Sequence, residues 1–221
     1  MSNVKRRSVR SQSSHLCVIC GIRPATTRDH VPPKCFFKGT AGAALITVPA
    51  CAMCNNGASS DDEDMRFYMS MQVGKPTVEA ARLWNEGALK SVRRKSALRA
   101  NVLASREMVV PDESGKPVVR IAVEVPASLY QSVFARTTRG LYFFHTARIL
   151  DPSTRIEVAP LVSKPNDPLY EEMHMNEIGG FACKYWYGVD SEDSEACLWL
   201  YCFYGAHWVQ VTTGAICDGD A

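Results

Sequence analysis

Long apolar runs are missing from this chain. No stretch approaches the ~20 apolar residues a membrane-spanning helix requires, and the opening Met1-Ser2-Asn3-Val4-Lys5-Arg6-Arg7 is basic without the apolar core of a secretory signal. A phosphate-cradling glycine loop is missing too, since Gly74-Lys75 and Gly115-Lys116 are each followed by proline. No Gly-x-Ser-x-Gly turn offers a nucleophilic serine, and no segment repeats. These gaps set aside helical membrane channels, P-loop nucleotide hydrolases, serine hydrolases of the α/β type and solenoid scaffolds.

What remains is an ordinary folded-protein composition with an unusual number of thiols. Its 221 residues are 46% hydrophobic and 22% charged, which suits one large or two small domains. Nine cysteines are an odd number, a poor match to a framework made wholly of disulfides. With no secretory signal, the expectation is a reducing cytoplasm and thiolates committed to metal. The net charge of +2 hides a split: residues 1–100 hold 16 basic against 7 acidic side chains, and the remainder holds 9 against 16. A basic half that also carries the paired cysteines suits contact with a polyanion.

Four stretches follow one another. Residues 1–14 read as a disordered basic arm, in which Arg6, Arg7 and Arg10 either touch phosphate or only solvate the chain. Residues 15–73 open with a Gly- and Pro-punctuated segment too poor in periodic apolar positions to build its own core, so metal is the expected staple. Within them Ser60-Asp61-Asp62-Glu63 reads as a helix start capped by the Ser60 hydroxyl, with Met65 and Met69 on one face. Gly74-Lys75-Pro76 breaks that helix and opens a helical connector over 74–107. There Thr77 is the cap, Ala81, Trp84 and Ala88 form the apolar stripe, and Lys90, Arg93 and Arg94 gather on one side. From 108 to 221 an accessory domain is expected, mainly an antiparallel sheet with a helix packed on it. Its strands are predicted at 118–125, 141–145, 155–158, 181–187, 197–204 and 207–211, with a short helix at 128–138. The fold class is therefore α+β.

Cys17-Val18-Ile19-Cys20 and Cys51-Ala52-Met53-Cys54 carry the clearest chemistry. A CxxC turn aims both sulfurs at one ion, and two such pairs complete the tetrahedral shell of a closed structural zinc site. The intervening residues 21–50 make a loop able to clamp an inserted functional element. A redox role needs a thioredoxin-like βαβ context that neither pair has. Cys35, Cys183, Cys197, Cys202 and Cys217 have no partner at ligand spacing and read as buried thiols.

Inside that loop lies Arg28-Asp29-His30-Val31-Pro32-Pro33, and Asn55 abuts the last cysteine. A neutral imidazole can take a proton from water near pH 7. A hard divalent cation, held by carboxylate and amide oxygens, can stabilise a phosphate and its leaving oxygen. Neighbours on a strand point to opposite sides, so Asp29 can serve an ion while His30 faces the water. Taken alone, Asp29-His30 is equally a surface turn pair. His145 shares an alternating face with Leu141 and Phe143 and reads as a core imidazole, and His15, His174 and His207 have no recognisable partner.

The order CxxC, Asp-His-Val-x-Pro, hydrophobic strand, CxxC and Asn resembles the HNH (ββα-metal) endonucleases. Asp29-His30-Val31-Pro32-Pro33-Lys34, then Leu45-Ile46-Thr47-Val48-Pro49-Ala50-Cys51, then Ser60-Asp61-Asp62-Glu63, are similar to a bacterial and phage-associated branch, a likeness spanning residues 15–70. Arg139-Gly140-Leu141-Tyr142 and the aromatic C-terminal strands are similar, in a general way, to the accessory region such proteins carry. The resemblance implies a zinc-stapled ββα-metal module over 15–73 that hydrolyses phosphodiester bonds in DNA. His30 would be the general base, and Asp29 and Asn55 would be ligands of a catalytic divalent ion, Mg²⁺ or Mn²⁺ with Zn²⁺ or Ni²⁺ as alternatives. Cys17, Cys20, Cys51 and Cys54 would hold structural Zn²⁺. Arg23, Arg28, Lys34 and Lys38, close to the site in sequence, are the candidate phosphate contacts. Asp62 and Glu63 are further candidate ligands, though stabilising the helix start explains both.

One departure stands out. The family's middle Asn, which helps orient the base, falls where this chain has Ala43-Ala44. The alternative is a zinc-stapled nucleic-acid-binding protein whose nuclease centre has decayed. The acidic C-terminal half is open to partner contact, self-association, substrate selection or plain support.

Overall fold

The computed structural model describes residues 16–38, 44–71, 77–111, 114–190 and 193–214. The arm at 1–14, His15, Ala43, the Gly74-Lys75-Pro76 break and Cys217 lie outside the described residues. Strand β1 (Thr27–His30) pairs antiparallel with β2 (Thr47–Ala50), placing Thr27 opposite Ala50 and His30 opposite Thr47. A 3-10 turn at Lys34–Phe37 follows β1, anchored by buried Phe36 and Phe37. Helices α1 (Ala52–Gly57) and α2 (Ser59–Ser70) follow β2. The Ser60 cap does not form. Ala58 stays in the right-handed helical region, so α1 runs almost straight into α2 and no free helix end needs a cap. Ser60 instead lies inside α2 and accepts from Lys95 Nζ at 3.1 Å.

The connector comprises α3 (Val78–Leu83), a wide π turn at Trp84–Ala88, α4 (Leu89–Arg94) and α5 (Ser96–Leu103). Thr77 does cap α3, accepting from the Ala80 N–H at 3.3 Å. Its buried stripe is out of phase with the expected one: Ala80, Leu83 and Ser91 are buried, while Ala81 and Trp84 are half-buried. The buried Arg66 explains the rotation, since its guanidinium donates to Ser91 Oγ and draws that side inward.

Strands β3 (Arg106–Pro111) and β4 (Pro117–Ala122) form a separate hairpin. Next comes α6 (Ala127–Thr146), then β5 (Ile156–Leu161), α7 (Leu169–Glu172), β6 (His174–Ile178), β7 (Cys183–Val189), β8 (Cys197–Phe203) and β9 (His207–Thr213). The last five strands make one antiparallel sheet, ordered β5-β9-β8-β7-β6. The strand predicted at 141–145 is the last part of α6, and the short helix at 128–138 is one of 20 residues. Val133, Phe134, Thr137, Thr138, Leu141 and Tyr142 are buried at helical spacing. Aromatic residues favour strands only through the neighbours they pack on, and here the neighbour is a sheet face that takes a helix. Phe181 and Ala182 likewise sit in a 3-10 turn before β7 rather than in the strand. Phe134 packs on Tyr201 and Phe203, with ring centroids 5.6 and 5.9 Å away, and Thr138 shares a 2.8 Å hydrogen bond with the Tyr201 hydroxyl. The opposite side of α6 meets α2 and β1. A continuous cluster of buried side chains runs from Val18 to Val211. Among the described residues no helix is long and apolar enough to cross a membrane.

Candidate metal centre and adjoining site

The sulfur atoms of Cys17, Cys20, Cys51 and Cys54 lie within 4.8 Å of one another. Tetrahedral zinc with Zn–S bonds of about 2.3 Å needs sulfurs about 3.8 Å apart, so this donor set fits a structural zinc ion. Local backbone bonds build the cage. The Gly21 N–H donates to the Cys17 carbonyl at 2.7 Å, and Gly21 takes a left-handed φ of +65° that turns the chain back. The Cys54 N–H donates to Cys51 Sγ at 3.4 Å, and the Val18 N–H reaches the Pro49 carbonyl at 3.0 Å, joining the two pairs. Burial pushes the Cys51 thiol up, but hydrogen bonds from the Cys54 backbone, the Cys54 and Cys17 thiols and Arg23 outweigh it and bring it down to about 6. Burial and the same crowded sulfurs push Cys54 well up. Protons are thus shared unequally among the thiols, and a divalent ion would displace them.

Asp29 and His30 occupy opposite sides of β1. The half-buried His30 titrates below the ordinary 6.5, because burial and then the Lys34 charge disfavour its cation, with Asp29 opposing them. A neutral imidazole able to accept a proton at pH 7 results. Asp29 is 6% exposed. Its Oδ1 accepts the His30 main-chain N–H at 2.8 Å, and its Oδ2 accepts from Arg136 Nη1 at 2.9 Å. The other terminal nitrogen of Arg136 binds Asp62. Burial pushes Asp62 up to about 7, with the Arg136 charge opposing the rise. The α1 residue Asn55 donates its amide nitrogen to Thr27 Oγ1 at 3.1 Å and to the Arg28 carbonyl at 3.0 Å, which staples the helix to β1. Its carbonyl oxygen is left without a hydrogen bond among the described residues. The carboxylate of Asp29 and the amide oxygen of Asn55 are hard donors of the kind Mg²⁺ or Mn²⁺ takes, and two protein ligands leave places for water and phosphate.

The remaining expected residues separate. Arg28, on the His30 side of β1, reaches across to Thr47, bonding Oγ1 at 3.0 Å and the carbonyl at 2.8 Å. Lys34 is exposed and close enough to disfavour the His30 cation, and Lys38 is exposed at the end of the 3-10 turn. Arg23 is exposed beside the knot, where the Cys51 sulfur and then the Cys20 charge push its guanidinium up. Glu63 faces Lys95 at 3.8 Å. Ala44 is exposed and offers no side-chain amide. His145 and His207 are satisfied by the hydroxyls of Tyr185 and Tyr130, each at 2.9 Å, and burial lowers each to about 4. Among the described residues the four thiols are the only cluster of three or more His, Cys, Asp or Glu side chains close enough to share an ion. Arg136, which engages the first expected metal ligand, carries no signal in the sequence beyond its charge. Comparisons with protein-family models, with curated proteins and with solved structures found no match to this chain.

Proposed function

We propose that this protein is a metal-dependent endonuclease of the HNH type that hydrolyses phosphodiester bonds in DNA. The observation that carries the reading is the staple from Asn55 to the Arg28 carbonyl. It brings the residue after the last zinc thiol onto the strand immediately before Asp29-His30. Asp29 and Asn55 would hold the Mg²⁺ or Mn²⁺ ion, which when bound supplies charge stabilisation for the phosphate and the leaving 3′ oxygen. His30, kept neutral by burial and by Lys34, accepts the proton of the attacking water. Arg28 and Lys34 stand beside it and draw in the phosphodiester. The thiol cage, loaded with zinc, sets the relative position of β1 and α1.

A second reading, DNA binding without catalysis, draws on two specific observations: exposed Ala44 where the family has an orienting Asn, and the commitment of Asp29 to Arg136. A plasmid-nicking assay in Mg²⁺ or Mn²⁺ separates them. Cleavage by the wild type, reduced about 10²- to 10⁴-fold in His30→Ala, is the expected outcome. Binding without cleavage under either metal favours the second reading. An absence of salt-dependent DNA affinity sinks both.

A further inference from the structure

We infer that α6 is the positioning scaffold for the Asp29-His30 dipeptide, with Arg136 and Gly140 as its positioning residues. Ser132, Arg136 and Gly140 are spaced at i, i+4 and i+8 and so form one stripe of the helix. Ser132 Oγ donates to Asp61 Oδ2 at 2.5 Å. Arg136 Nη1 donates to Asp29 Oδ2 at 2.9 Å, and its Nη2 binds Asp62. Gly140 receives Val31 so closely that a Cβ there would lie 2.5 Å from Val31 Cγ1. Asp29 and Val31 are the two residues that flank His30, and one face of α6 holds both.

The His30 ring makes no hydrogen bond among the described residues, so its place is set by its backbone. On one side that backbone is fixed by a relay, in which Arg136 holds Asp29 and Asp29 Oδ1 accepts the His30 N–H at 2.8 Å. On the other side Val31 is seated on Gly140, and its N–H donates to the Ile46 carbonyl at 3.1 Å. Arg136 is 6% exposed and spans a carboxylate on β1 and another on α2. A planar guanidinium can bridge two acids in this way, whereas a lysine ammonium is a single compact charge on a flexible stem. Ala44 offers His30 no side-chain amide, and the residues that hold the His30 backbone come from α6. Residues 15–73 are thus completed by a helix that begins more than fifty residues beyond them.

The test uses the full-length, zinc-loaded chain with Gly140→Ala, Arg136→Lys and Asp62→Asn, each first checked for zinc content and melting temperature. It rests on the nuclease reading for its kinetic arm alone. In that arm Gly140→Ala and Arg136→Lys lower kcat on a DNA duplex about 10- to 100-fold and leave KM within about twofold, because the base moves while the phosphate grip stays. Asp62→Asn, which keeps the Arg136–Asp29 bond, lowers kcat less. Variants that melt earlier but turn over with wild-type kcat and KM overturn the inference. If the wild type cuts no DNA with any divalent metal, the nuclease reading falls and the His30 imidazole NMR resonances decide. Displacement in Gly140→Ala and Arg136→Lys, with the His207 resonances unmoved, upholds the scaffold, and unchanged His30 resonances overturn it.

Discussion

Around the thiols, the buried apolar cluster consists of little more than Cys17, Ala50 and Cys51, whereas Trp199, Tyr201, Phe203 and Phe134 are fully enclosed between the sheet and α6. The first region has few apolar side chains and four thiols close enough to share an ion, whereas the second draws its order from area removed from water. The difference bears on where chemistry can sit. Short strands and tight turns, if held by an ion at the four thiols, can keep polar groups such as Arg28 and Lys34 exposed and His30 half-buried without building a core beneath each. The sheet spends its inward positions on packing, and the two histidines packed there, His145 of α6 and His207 of β9, are hydrogen-bonded to tyrosine hydroxyls. Helix α6 belongs to both regions, with one side on the aromatic core and the other on the Asp29-His30 strand.

The largest effect is expected from depriving the four thiols of metal. A strong chelator, or Cys51→Ser, is expected to cost on the order of 10 kcal/mol of folding free energy in the knot. Limited proteolysis should then cut within residues 16–57 while the near-ultraviolet signal of the enclosed tryptophan persists. Simultaneous loss of both would show that the two regions melt as one. The reciprocal change, Trp199→Ala, empties a fully buried site and should cost about 3–5 kcal/mol in denaturant titration. Its zinc content should be unchanged.

Acid sharpens the contrast more gently. His145 and His207 titrate at about 4 in the folded protein, below the ordinary 6.5, because burial disfavours their cations. Their contribution is fully present above pH 6.5 and is lost as pH falls toward 4, since the unfolded chain takes up protons first. A melting temperature that declines across that window, and declines less steeply in His207→Asn, is the expected result. Smallest of all is Lys95→Met, which removes a part-exposed ion pair with Asp64 at 2.6 Å. A change of about 0–1 kcal/mol is expected in the same titration.

Several features are legible in the sequence because they are written within a few residues. The two CxxC turns, Thr77 as a cap and the strands at 197–204 and 207–211 all follow from local spacing. The 141–145 segment reads as a strand but is helical, because Leu-Tyr-Phe-Phe suits either form equally and only its packing partner decides. Proximity in sequence places Arg23 near the site but carries no sign of its closeness to the Cys51 sulfur, which depends on how the two CxxC turns come together.

The four-thiol cluster and the identity of the residues lined up beside it are legible in the sequence alone, since ligand spacing and strand alternation act over short stretches of chain. Tertiary structure alone decided that Asp29 is buried and that Arg136 joins it to Asp62 across separations of 107 and 74 residues. It also decided that Gly140 leaves room for Val31. Which of many charges meet depends on where a long helix comes to rest. That is settled by the packing of its other face against the sheet, and no local pattern records it.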